Sequence, residues 1–175
     1  RFDDRGTGES KGDFSTATSE DFSDDVEAAF DHLKKDSRIA AKVVGLLGHS
    51  EGGMIAPMIA ARRNDVAFVV LLAGTGVNGK EILLSQGQSI LRAEGVTEES
   101  LLNIQRETQL ALIDTILEAA PGVTTESLVD TALKKLSEAL PEESQQDESF
   151  KASVTAGIER MKTPWFRYFL TYEPA

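Results

Sequence analysis

The chain has 175 residues, 41% of them hydrophobic, enough to bury one sizeable core or one core plus a smaller appendage. Charged residues make up 27%, and no apolar stretch approaches the roughly 18 residues that a membrane-spanning helix needs. A formal charge of −11 with no basic stripe repels phosphate backbones and argues against nucleic acid as a partner. The lack of cysteine excludes a disulfide framework and a thiolate metal site, and leaves the compartment open.

The chain opens on Arg1-Phe2-Asp3-Asp4 without Met or a signal-like segment, which reads as the interior of a longer protein. "RGTGESKG", residues 5–12, spaces its glycines wrongly for a dinucleotide fingerprint and reads as a loop. In "EDFSDDVEAAFDHLKK", Phe22, Val26, Ala29, Phe30 and Leu33 recur at helical spacing, with Ser19 as the expected cap and acidic residues in the first turn. "KVVGLLG" is an apolar run of strand length, of the kind buried on both faces of a parallel sheet; it predicts a strand over 43–47. "MIAPMIAARR" is helical in pattern although Pro57 removes one interior hydrogen bond, and "VAFVVLLAG" predicts a second buried strand over 66–73. Helix, strand, helix, strand is an α/β layer with parallel strands and a right-handed crossover.

From Gly79 the pattern changes. "KEILLSQGQSILRAEG", "TEESLLNIQRETQLALIDTILEAA", "TTESLVDTALKKLSEAL" and "DESFKASVTAGIERMK" are four amphipathic helical stretches with cap-like openings and no strand between them. This predicts an all-helical block of lid size, after which "TPWFRYFLTYEPA" returns to the first layer. Leu83, Leu84, Ile90, Leu91, Leu110, Ile113 and Leu117 in the block are candidates for an acyl pocket, with plain packing the preferred reading.

The chemistry rests on Gly48-His49-Ser50-Glu51-Gly52, a serine between two glycines where a buried strand meets a helix. A serine hydroxyl is a weak nucleophile unless a strained, exposed turn presents it to a base, and strand-Gly-x-Ser-x-Gly-helix supplies that turn. Gly48, Gly52 and Gly53 are the elbow glycines, and at Gly48 and Gly52 side chains are expected to clash where strand and helix nearly touch. The backbone N–H of Glu51, at the start of the helix, is the natural oxyanion donor. The loop bearing Arg5, Gly6 and Gly8 is expected at the rim of this site, with Arg5 as an anchoring side chain.

"FDDRGTGES", the following helix, "KVVGLLGHSEGGMIAPMIAAR" and "VAFVVLLAGTGV" together resemble the α/β-hydrolase superfamily, in particular its capped serine esterase and aminopeptidase-like branch. The resemblance extends over nearly the whole chain, and it implies a core fragment over 1–76, a helical cap over 77–163 and a return segment to the core over 164–175. It implies a Ser–Asp–His triad that cleaves an ester, thioester or amide through an acyl-enzyme, in the chain order Ser, Asp or Glu, His. No histidine follows Ser50, however. Of the two present, His49 is expected to pack behind the elbow and His32 to be a partly exposed helix residue. Asp65, Asp114, Asp130 and Asp147 fall on a loop or on cap helices and read as surface charge. The triad aspartate, the histidine and the second oxyanion donor are all expected outside these 175 residues.

"GTGVNGKE", residues 74–81, reads as a P-loop except that Glu81 stands where Ser or Thr would bind magnesium, so a turn into the helical block is preferred. Two separated histidines give no metal-ligand spacing. The leading expectation is a serine hydrolase, a carboxylesterase acting on acyl esters through Ser50, with no metal or cofactor and a small-molecule acyl ester as substrate. By itself this piece is expected to be inactive, with homo-oligomers formed through exposed sheet edges. The alternatives are a non-catalytic binding module of the same fold and a P-loop-type nucleotide binder.

Overall fold

A computed structural model describes residues 2–40, 43–137 and 147–174. The chain divides into two units, Arg1–Val77 with Glu173–Ala175, and Asn78–Tyr172.

The first unit begins with the glycine-rich loop and α1 (Ser19–Lys35). Thr18, rather than Ser19, caps this helix. Thr18 is extended, its side chain accepts from the Asp21 N–H, and the Asp21 carboxylate reaches back to the Thr18 N–H, a reciprocal capping box. Ser19 is already helical and turns its hydroxyl inward. Glu20 and Asp21 at the start and Lys34 and Lys35 at the end complement the helix dipole.

α1 packs on α2 (Gly52–Arg62) through Phe30, Ala56 and Ile59, with Leu46 beneath and Val26, Val44, Ile55 and Val66 at the margin. At the far end of α1, Arg63 closes the contact. It reaches Glu27, Asp31 and Asp65 and lies 4.9 Å from the Phe30 ring centroid, while Lys34 also pairs with Asp65. Pro57 sits on the exposed side of α2, and the helix runs through it; the bond it forgoes is the one to the Gly53 carbonyl.

β1 (Leu46–His49) and β2 (Val69–Leu72) pair in parallel, Leu46 opposite Val69 and His49 opposite Leu72. β1 is displaced toward Ser50 from the predicted 43–47, because the Val43 N–H is turned back to Ala40 and the strand starts only at Leu46, and β2 is shorter than the predicted 66–73. Nor are they buried on both faces. β1 alternates, with Leu46 and Gly48 buried and Leu47 and His49 exposed, and all four residues of β2 are exposed. The cover provided by α2 therefore closes one face of β1 and leaves β2 open, and Leu47, Phe68 and Leu72, at 65%, 54% and 49% exposure, form an open apolar surface.

The second unit consists, among the described residues, of helices: α3 (Gly79–Ala93), α4 (Glu99–Glu118), α5 (Thr125–Leu136), α6 (Glu148–Met161) and α7 (Pro164–Thr171). Asn78, Thr124, Asp147 and Thr163 each cap the following helix through a side-chain oxygen. The core joins Ile113 and Ile116 of α4, Leu128 and Ala132 of α5, and Val154 and Ile158 of α6. Ile113 is fully buried there and Leu83 and Leu117 pack against it, so these three candidate pocket positions serve packing, whereas Ile90 is exposed. Residues 138–146, which include the end of the third predicted helical stretch, lie outside the described residues.

Of the segment 164–175, expected to return to the first layer, only Glu173–Ala175 group with the first unit. The segment is helical through Thr171, and Phe166 and Leu170 belong to the helical unit's core. The physical reason is a strong local helix start, Thr163 capping and Pro164 in the first turn, followed by aromatics on one face.

Candidate active site

Ser50 stands between β1 and α2 with φ +54°, in the left-handed region that side-chain-bearing residues seldom occupy. Such a residue costs on the order of 1–3 kcal/mol and persists only where its surroundings over-determine it. Here the Ser50 N–H donates to the Leu72 carbonyl of β2 at 3.0 Å, and its carbonyl accepts from the Gly53 N–H at 2.9 Å. Both sides of the turn are thus tied, and the serine is exposed.

The glycines explain how the turn fits. A Cβ on Gly48 would lie 1.8 Å from the Gly52 carbonyl oxygen, and one on Gly53 would lie 2.4 Å from Gly74 Cα. Gly52, expected to be crowded, has nothing within 4 Å of its would-be Cβ. It faces outward because the first turn of α2 rolls Gly53, not Gly52, onto the strands. A second residue of positive φ, Ala73 at +50°, ends β2 and carries the chain into Gly74.

Glu51 follows Ser50 in helical conformation and opens α2, its carbonyl accepting from Met54 and Ile55. Its carboxylate accepts a hydrogen bond of 2.7 Å from the Ser19 hydroxyl, on the first turn of α1. The same turn holds the glycine-rich loop. Arg5 makes a forked pair with Asp25, 2.7 and 2.8 Å, and reaches the Asp21 carboxylate and carbonyl at 2.9 and 2.7 Å. The hydrogen bonds from Thr18, followed by the charge of Arg5, hold the Asp21 carboxyl below its ordinary range. Gly6 and Gly8 have φ of +72° and +52°, which lets the loop fold back so that the Gly6 N–H meets the Lys11 carbonyl. The loop and the serine turn therefore flank one end of α1.

Neither histidine approaches Ser50 in a way that makes it a base. His49 is exposed rather than packed behind the turn, because it falls on the uncovered face of β1. His32 is thirteen residues further along α1 than Ser19, a rise of about 20 Å. It borders a cleft of about 630 Å³ with Phe2, Arg5, Lys11, Asp25 and Leu33, and Ser50 is not among that cleft's lining residues. Among the described residues no three His, Cys, Asp or Glu side chains converge as a metal cage would require, and no helix is long and apolar enough to cross a membrane.

The P-loop-like segment folds differently from a phosphate cradle. The Asn78 side chain accepts the Glu81 N–H at the start of α3, and Lys80 pairs with Asp114 at 2.7 Å.

A strained serine between a parallel strand and a helix, with Gly48 and Gly53 where the backbones touch, gives this unit a specific signature. The family model for serine aminopeptidase, S33, matches residues 1–138. The chain belongs to the S33 serine aminopeptidase family. Its fold is accordingly that of the α/β-hydrolases, of which β1, α2 and β2 form a part, and its class of activity is hydrolysis. No curated protein and no solved structure gives a match.

Sequence reasoning located Ser50, Glu51 and Arg5 but missed their partners. Ser19 reads as a cap and is instead the contact to Glu51. Asp21 and Asp25 fall in the acidic start of α1, and their i, i+4 spacing, which puts two carboxylates on one helix face, is a legible signal for a cation between them.

Proposed function

We propose that Ser50 is the nucleophile of a carboxylic ester hydrolase acting on small or medium acyl esters. The observation that carries this reading is the left-handed backbone of Ser50 at the β1–α2 turn, held from both sides and open to solvent. The hydroxyl attacks the acyl carbon and gives its proton to the base, and the oxyanion is met by the Glu51 N–H at the start of α2. The alcohol leaves with that proton as the acyl-enzyme forms, and water then hydrolyses the acyl-enzyme to the carboxylic acid and free Ser50. Gly48, Gly52 and Gly53 shape the elbow, and the loop of Arg5, Gly6 and Gly8 forms the rim of the site. The base, its carboxylate and the second oxyanion donor come from sequence beyond these 175 residues, in line with the distance of His32 and the orientation of His49.

Nucleotide binding is disfavoured by the pairing of Lys80 with Asp114, which occupies the cation a phosphate would need. The test is a fluorophosphonate probe on the full-length protein. Labelling at Ser50 that is lost in Ser50→Ala is the expected result. A folded protein that stays unlabelled would favour a non-catalytic binding module, and stabilisation by ATP would favour the nucleotide reading.

A further inference from the structure

The proposed reaction leaves the hydrogen bond between Ser19 and Glu51 without a purpose. Ser19 is fully buried and does not cap α1, since Thr18 does. Yet its hydroxyl spans 32 residues of sequence to reach Glu51 Oε1 at 2.7 Å. Glu51 is the residue directly after Ser50, and its peptide N–H is the one assigned to the oxyanion. A carboxylate on that residue is a liability for such a reaction. Negative charge a few ångströms from a developing oxyanion opposes it, most strongly where water is excluded. Ser19 lies in the interior and Ser50 lies at the surface, so the bond draws the carboxylate inward, to the first turn of α1, where a helix favours negative charge.

We propose that Ser19 is a positioning residue for the reaction at Ser50: its hydroxyl anchors the Glu51 side chain, fixing the peptide that follows the nucleophile and keeping the acidic charge off the reacting group. This rests on the assignment of Ser50 as nucleophile. Loss of one oxyanion donor costs about 10² to 10³ in rate, so a donor that is present but loosened costs less, about tenfold.

The experiment measures kcat and KM on a short-chain nitrophenyl ester, the rate of fluorophosphonate labelling, and thermal stability, all in the full-length protein. Ser19→Ala should lower kcat and the labelling rate about tenfold with KM changed less than about twofold, and Ser19→Thr, which keeps the hydroxyl, should restore both. An unchanged kcat in Ser19→Ala overturns the proposal. So does a loss that follows Tm alone and is not restored by Ser19→Thr, which would make the bond merely structural. If Ser19→Ala does not fold, Glu51→Asp reads the same bond from the exposed side, because its carboxylate falls one methylene short. It should lose kcat similarly at unchanged Tm, and full activity there overturns the proposal. Failure of the wild-type protein to label at Ser50 is a different result, which overturns the nucleophile assignment and this inference with it.

Discussion

Gly53 and Gly74 meet backbone to backbone, so that a Cβ built on Gly53 falls 2.4 Å from Gly74 Cα. The start of α2 and the chain leaving β2 are therefore in contact with no side chain between them, and Ser50 is lifted onto this junction by its own bond to Leu72. Gly53→Ala must push the helix off the strand, because the atom it meets is main chain and cannot swing away. The expected destabilisation is about 1–3 kcal/mol. Gly52→Ala, one residue earlier, has open space at its Cβ and should be neutral or gain up to about 1 kcal/mol from helix propensity. Urea midpoints of the two variants check this, and equal losses in both would contradict the packing.

Ser50→Gly should make the protein more stable while abolishing hydrolysis. Glycine occupies positive φ without penalty, so the substitution relieves the strain at φ +54°, with a gain on the order of 1 kcal/mol. Ala73→Gly, at φ +50°, should gain similarly and serves as a comparison away from the nucleophile. Thermal melting of both variants against Ser50→Ala reads the effect. A Ser50→Gly variant less stable than Ser50→Ala would mean that the turn is not strained and would remove the main support for its catalytic role.

How much of this was legible in the sequence divides along a physical line. The order helix, strand, helix, strand, and the placing of Ser50 between the second and third elements, follow from local hydrophobic patterning and from two glycines, and these are visible in short windows. The strand limits were not, because the runs 43–47 and 66–73 are apolar beyond the points where pairing begins, and apolarity does not mark where the backbone turns, as it does at Val43. The burial of β2 was overread for a related reason. Val69 to Leu72 have the composition of a strand covered on both faces, but composition cannot say which elements cover it. The Ser19 to Glu51 bond and the Gly53 to Gly74 contact join residues 32 and 21 apart, and no periodicity reports on such pairs.

Acid should loosen the end of α1 that supports the site. Asp21 is held below its ordinary range by Thr18 and Arg5, and Asp65 at the other end by Arg63 and Lys34. A carboxylate depressed on folding adds stability that is fully present above its unfolded value, near about 4, and is lost as pH falls from there through the folded value. Tm should therefore hold at neutral pH and fall below about pH 4. Arg5→Lys keeps the charge but loses the fork. With its partners a third or more exposed, it should cost no more than about 1 kcal/mol, and less at high salt. A Tm that rises on acidification, or an Arg5→Lys effect that grows with salt, would contradict this account.

The 175-residue chain by itself should show essentially no turnover, even though Ser50 is presented at the turn. A serine without its base is not deprotonated efficiently, and loss of triad members costs on the order of 10⁴ to 10⁶ in rate, leaving only binding and oxyanion contributions. His32 is too far along α1 to take the proton, and His49 belongs to the exposed face of β1. Half of the proposed oxyanion hole would be missing as well, for a further factor of roughly 10² to 10³. The open edge of β2 and the apolar surface of Leu47, Phe68 and Leu72 should also drive the isolated chain to associate. Both expectations are read on one purified sample, hydrolysis of a short-chain nitrophenyl ester beside a Ser50→Ala control, and size by light scattering. Turnover well above the control would mean that one of the two histidines, or a carboxylate on this chain, serves as the base, and the proposal that the base lies beyond these residues would fall.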